Sequence, residues 1–163
     1  LNAQQSFSYK NPLLPTELRV NDLLDRMTLE EKIAQIRHLH SWDVFDGQVL
    51  NQEKLDKMCG GIGYGFFEGF PLTAASCRKT FREIQTYMVE KTRLGIPGFP
   101  VAESLHGVVH EGTTIYPQNI AMGSTFNPEL AYEKTKHIAG ELNTMGVKQV
   151  LAPCIDVDRK SVV

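Results

Sequence analysis

The chain has 163 residues, of which 42% are hydrophobic and 22% charged, with a formal net charge of -2. That balance is the composition of a soluble globular chain, and its near-neutral charge argues against nucleic acid or another polyanion as a partner. No apolar run approaches the ~20 residues that cross a membrane as a helix.

Residues 1–15 are polar with two prolines and read as an irregular arm. Its first residues, Leu1-Asn2-Ala3-Gln4-Gln5-Ser6, fit two readings equally: what remains around a signal-peptidase site, or an arbitrary fragment start. Helical periodicity begins after Thr16, with Leu18, Leu23 and Leu24 on one side. Thr28-x-x-Glu31 is a capping box that opens a second helix, with Ile33 and Ile36 on its expected apolar face. The stretch from His38 to Phe45 shows no clear period. Its two histidines, His38 and His40, have no carboxylate or third histidine patterned near them, so packing or surface roles are expected rather than a metal.

Residues 51–59 predict a short helix stopped by Gly60-Gly61. The aromatic, glycine-rich run 62–67 predicts the first strand, with glycines where backbones approach closely. A long helix is expected over 71–94, with Ala75, Phe81, Ile84, Met88 and Val89 near helical spacing and Gly95 closing it. A second strand follows over 97–102. It delivers Glu103 and His106 to the start of a loop punctuated by Gly107, Gly112 and Pro117. A carboxylate at such a strand-to-loop junction is a frequent arrangement in α/β enzymes, because the strand fixes position while the loop opens to solvent. Asn127-Pro128 starts a helix in the favoured form, Gly146 stops it, and 147–155 predicts a third strand. Strand, helix, strand, helix, strand is the rhythm of parallel βα units.

The three cysteines, Cys59, Cys77 and Cys154, are far apart and lack CxxC spacing, which favours buried thiols over disulfides or zinc. His106 and His110 stand four apart, but the intervening Gly107 and Val108-Val109 are poor helix material, so no HExxH-type metal site is expected. Gly60-Gly61-Ile62-Gly63 precedes its strand, whereas a dinucleotide fingerprint follows one, and no Gly-x-Ser-x-Gly elbow occurs. Trp42 and the aromatics between 64 and 70 read as core, with sugar stacking as the alternative.

Several blocks together resemble one family. They are Arg26-Met27-Thr28-Leu29-Glu30-Glu31-Lys32-Ile33-Ala34-Gln35, Gly95-Ile96-Pro97, Glu103-Ser104-Leu105-His106-Gly107 and Tyr116-Pro117-Gln118-Asn119-Ile120-Ala121-Met122-Gly123. Thr125-Phe126-Asn127-Pro128-Glu129-Leu130, Gly146-Val147 and Ala152-Pro153-Cys154-Ile155-Asp156-Val157 continue the series. In this order and spacing the chain resembles the N-terminal domain of glycoside hydrolase family 3, the β-glucosidases and β-xylosidases.

The resemblance implies an α/β fold, a partial TIM (β/α)8 barrel comprising roughly the first three βα units. Residues 16–163 would form the incomplete barrel domain, since a complete one takes about 250 residues. It implies an exo-acting, retaining β-glucosidase or β-xylosidase that cleaves O-glycosyl bonds through a covalent glycosyl-enzyme. The substrate would be a β-linked oligosaccharide or glycoside, with no metal and no organic cofactor. The oligomeric state stays open, and resemblance to secreted and periplasmic enzymes points to export.

Residue by residue, Glu103 stands where the family has an Asp or Glu that binds sugar hydroxyls in the first subsite. Its Glu-x-Leu-His-Gly form is nearer the β-xylosidase branch. His106 belongs to the same motif and reads as a support of the loop, not as a catalyst. The family's nucleophile, an Asp in a Ser-Asp-Trp-like segment, and its acid/base have no counterpart in these residues. No catalytic residue is therefore assigned, and the chain alone is expected to be inactive.

Asp156 reads as a strand-end structural residue beside Arg159. A Glu103–Asp156 catalytic pair would require carboxyls about 5–5.5 Å apart. Beyond them Lys160-Ser161-Val162-Val163 departs from the family pattern. Two rival readings stand beside the glycosidase: a non-catalytic sugar-binding or inactive fragment, and an unrelated barrel lyase or aldolase, whose barrel lysine has no evident place here.

Overall fold

The structure, a computed structural model, describes residues 8–69 and 73–153. It opens with a 3-10 turn, Ser8–Lys10, then α1, Thr16–Arg26, and α2, Leu29–Ala34. The arm read as irregular is anchored within its described part. Tyr9 is buried, and its hydroxyl donates to the Leu94 carbonyl oxygen at 2.5 Å.

Helix α1 buries none of its residues, and Leu18 and Leu24 remain exposed, so its apolar side is not a core face. The capping box at α2 forms as read: Glu31 N donates to Thr28 Oγ1 at 3.3 Å, and Thr28 N to Glu31 Oε2 at 2.9 Å. Its buried face differs from the expected one. Ile33 and Ile36 are exposed, whereas Glu31 and Ala34 pack inward. The reason lies in two partners distant in sequence. Gly65 N donates to Ala34 O at 3.0 Å, and Arg93 Nε donates to Glu31 Oε1 at 2.7 Å. Arg93 also donates through Nη2 to Arg26 O at 2.8 Å.

The stretch without period contains strand β1, His38–His40, followed by α3, Ser41–Val44. A small antiparallel hairpin, β2 (Phe45–Asp46) and β3 (Val49–Leu50), turns at Gly47. Helix α4, Gln52–Cys59, has Asn51 Oδ1 accepting from Lys54 N at 3.0 Å and ends in left-handed Gly60. Strand β4, Phe66–Glu68, starts later than the expected 62–67. Gly65 lies against the preceding chain so closely that a Cβ there would sit 1.9 Å from Gln35 O.

Helix α5, Ala74–Lys91, is capped by Thr73 and buries Cys77, Thr80, Phe81, Ile84, Tyr87 and Met88, while Ala75 and Val89 face outward. Strand β5 is Phe99–Ala102. Helix α6, Asn119–Gly123, lies in a region read as loop. Helix α7, Pro128–Met145, starts at the Asn127 cap and stops at Gly146, φ 92°, as the sequence predicts. Strand β6 is only Gln149–Val150. Of the expected strand 147–155, residues 151–153 are described and lie outside the strand, whereas Cys154, with Asp156 and Arg159 beyond it, falls outside the described residues.

The main sheet is parallel throughout, in the order β1-β4-β5-β6. It is a partial (β/α)8 barrel: three βα units, β1–α4, β4–α5 and β5–α7, with β6 opening the next. The sequence reading counted β4 as the first strand. That place belongs to β1, which raises the strand number to four. Leu39 and Phe67 from the strands pack with Ile84 and Met88 of α5 and Ile138 and Leu142 of α7 in one apolar core. Cys59 and Cys77 are free and buried in it, and burial pushes their thiols up to about 12 and about 11.

Candidate functional site

The strands run parallel, so their C-terminal ends share one edge of the sheet, where βα loops gather side chains from different units. Glu103 follows the last residue of β5 directly and is exposed. It lines a cavity of about 400 Å³ together with Trp42, Glu68, Val101, His106 and His110.

The loop beyond Glu103 is pinned at both ends. Tyr116 N donates to His106 O at 2.8 Å, and His106 Nδ1 lies 3.0 Å from Tyr116 O, so two polar contacts close the segment between them. Gly107 sits inside this closure with φ 110°, where a Cβ would meet Thr114 O at 2.4 Å. No other residue type fits that backbone and that space.

Helix α7 holds the loop from the other side. Thr114 donates from N and Oγ1 to the Glu141 carboxylate at 3.2 and 2.6 Å. Lys134, buried, donates from Nζ to Pro117 O and Asn119 Oδ1, both at 2.9 Å. Burial pulls the Lys134 amine below its ordinary range. The net effect is a loop fixed against a helix, with the exposed Glu103 where it leaves β5.

The structure also gathers residues that the sequence left scattered. In the β1–β4 register His40 pairs with Glu68. The Nδ1 atoms of His38 and His40 lie 3.2 and 3.3 Å from Glu68 Oε1. The expectation that no carboxylate accompanies this pair is therefore corrected. Glu68 ends its strand as Glu103 follows β5, and that strand-end position was the signal available for it. Trp42, read as core, is 68% exposed. Its indole stacks on the His40 ring, centroids 4.5 Å apart and planes 7° from parallel. Among the described residues no group of three His, Cys, Asp or Glu side chains is arranged to hold a metal ion. Asp156, the other carboxylate weighed, lies outside the described residues, as does Arg159.

The chain as a whole is similar to known proteins. The family model of the glycosyl hydrolase family 3 N-terminal domain matches residues 28–162. A Formosa agariphila protein provisionally named a beta-xylosidase is 31% identical over 160 residues, covering 95% of this chain and 21% of its own length. The periplasmic beta-glucosidase of Salmonella typhimurium is 27% identical over 151 residues, covering 91% of this chain and 18% of its own. The solved structure of the b-glucosidase EmGH1 from Erythrobacter marinus superposes with a TM-score of 0.76 at 27% identity, over 94% of this chain and 20% of that one. The chain thus spans about a fifth of the length of the relatives it matches.

Proposed function

Because the chain belongs to glycosyl hydrolase family 3, we propose that it supplies the sugar-holding part of a retaining, exo-acting β-glucosidase or β-xylosidase. The observation that carries this reading is Glu103, exposed at the C-terminal end of β5 and lining the cavity beside His106. An ionised carboxylate accepts hydrogen bonds at two oxygens, which suits the adjacent hydroxyls of a pyranose ring. Fixing the ring there places its anomeric carbon for attack, so that binding energy is used for orientation.

In this reading His106 is a positioning residue, keeping the loop closed through Tyr116. The nucleophile and the acid/base come from outside the described residues, and residues 1–163 alone have no glycosidase activity. Residues 16–163 form the barrel portion, with 1–15 as its arm. We place the protein outside the cytoplasm, as its Salmonella typhimurium relative is periplasmic. No helix among the described residues is long and apolar enough to cross a membrane.

The test is Glu103→Gln in a protein that contains the chain and hydrolyses aryl β-xylosides or β-glucosides. The variant is expected to lose about 2–4 kcal/mol of transition-state stabilisation with little change in Tm. Full activity with a collapsed Tm would make Glu103 a structural cap.

A further inference from the structure

One wall of the cavity stands apart from Glu103 and His106. It is formed by Trp42 and Glu68 and lies on units of the sheet other than the one bearing Glu103. An exposed tryptophan is unusual, since the indole is normally buried over most of its area. This one is also held still. Its inner face lies against the His40 ring at 4.5 Å and 7°, and its other face carries the exposure. Beneath it, the Nδ1 atoms of His38 and His40 lie 3.2 and 3.3 Å from one oxygen of Glu68, and neither makes a hydrogen bond there or to another of the described residues. An ionised carboxylate offers about four lone-pair sites, and two imidazoles use at most two of them. Glu68 therefore keeps acceptor capacity while its position is fixed from the neighbouring strand.

A rigid flat apolar surface beside a fixed acceptor matches a particular ligand chemistry. A pyranose ring presents axial C–H bonds on one face and hydroxyls around its rim. It can lie on an aromatic plane and donate sideways to a carboxylate. An anionic ligand fits less well, because it would face Glu68 and Glu103 together.

We propose that Trp42, backed by His40, is a stacking platform for an uncharged pyranoside in this cavity, and that Glu68 accepts a hydroxyl hydrogen bond from the same sugar. The proposal rests on the reading of the cavity as a glycoside site. It adds a second, separate element of recognition there. Because the platform is already in place without ligand, little ordering cost is left for binding.

Trp42 is the single tryptophan of the chain, so its fluorescence reads the platform alone. The experiment titrates the chain with methyl β-D-xyloside and methyl β-D-glucoside. Emission is recorded alongside saturation-transfer NMR of the sugar, and far-UV circular dichroism confirms that each variant is folded. The expected result is an emission shift to shorter wavelength that saturates with the same midpoint as the NMR signal. Trp42→Ala should weaken binding about tenfold, and Trp42→Phe should restore most of it. Glu68→Gln should weaken binding without altering the emission of the sugar-free protein.

Sugar binding seen by NMR and lost in Glu103→Gln, with Trp42 emission unmoved and Trp42→Ala at full affinity, overturns the platform and leaves the Glu103 reading intact. No binding of either sugar by the folded chain overturns both. An emission change with zinc and none with sugar assigns the two histidines and Glu68 to a cation, and overturns the platform as well. Trp42 is exposed, so Trp42→Ala leaves the core untouched and keeps the test available if Glu68→Gln fails to fold.

Discussion

Phe66 and Phe67 are neighbours in β4 with identical side chains, yet they live in different surroundings. Phe67 is fully buried on the helix side, beside Leu39 and edge-on to Phe81 with ring centroids 5.6 Å apart. Phe66 points the other way and stacks with His38 at 5.0 Å and Phe99 at 5.9 Å, half-buried. The alternation of a strand divides the sheet into two regions in this way. The helix side is selected for apolar volume and close packing. The opposite side, which is the interior side of a barrel, mixes imidazole, carboxylate and aromatic groups and leaves Phe99 53% exposed. Apolar packing is therefore concentrated on one face of the sheet and polar, partly open groups on the other.

Thiol chemistry tests that division with the largest effect. Burial holds the Cys59 and Cys77 thiols at about 12 and about 11 against an ordinary value of 9.0. The reactive thiolate is thereby depleted roughly a thousandfold and a hundredfold. Alkylation of the native chain, followed by mass spectrometry, should leave both unmodified until denaturant is added. Peptide-like rates at either would mean that the helix side is open.

The paired phenylalanines come next. Phe67→Ala should cost about 3–5 kcal/mol in urea unfolding. Phe66→Ala, packed on one side only, should cost about 1–2 kcal/mol. Equal losses would erase the distinction between the faces.

The packed region also holds charged residues, and Glu31 sharpens the rule. Glu31 is buried, and the Arg93 guanidinium holds its carboxyl below the ordinary range. A depressed carboxyl contributes stability that is fully present above its unfolded pKa, 4.5. That contribution is lost as the pH falls through the folded value. Glu31→Gln should cost about 1–3 kcal/mol at neutral pH, the lower part of the range for a broken pair because Arg93 is half-exposed and stays hydrated. The difference between variant and wild type should close on acidification in thermal melts recorded across the acid range. A pH-independent gap would show that the charge of Glu31 is not the source of the loss. The smallest effect belongs to Phe99→Ser on the open face, below about 1 kcal/mol. A larger loss would show that this face also carries the fold.

What the sequence disclosed follows the same physics. Helices α4 and α7 and the start of α2 were legible because their ends are written locally, in Asn51 and Gly60, in Asn127-Pro128 and Gly146, and in the Thr28–Glu31 box. Strand β1 was not. Three residues with a single apolar one, Leu39, carry no detectable period, and only pairing with Phe66–Glu68 makes them a strand. Burial on α2 was misjudged for a related reason, since Gly65 and Arg93 decide which side packs. Glu103 could be placed because a strand reads directly into it. Glu68 and Trp42 could not be joined to the same cavity, because the register that brings His40 to Glu68 spans two sequence-distant strands.

Arg93 and Leu94 carry a consequence for the order of events on a ribosome. Partners of Arg26, Glu31 and Tyr9 stand 67, 62 and 85 residues further along the chain. At a synthesis rate of roughly 5–20 residues per second, the wait between Glu31 and its guanidinium is about 3–12 seconds. Over that interval Glu31, which the folded chain buries, has no guanidinium partner, and the Tyr9 hydroxyl waits still longer for the Leu94 carbonyl. The ties that hold α1 and α2 to the rest of the sheet are thus completed only when residues 93 and 94 have been made, and a pause in translation before them would prolong the time Glu31 stands unpaired.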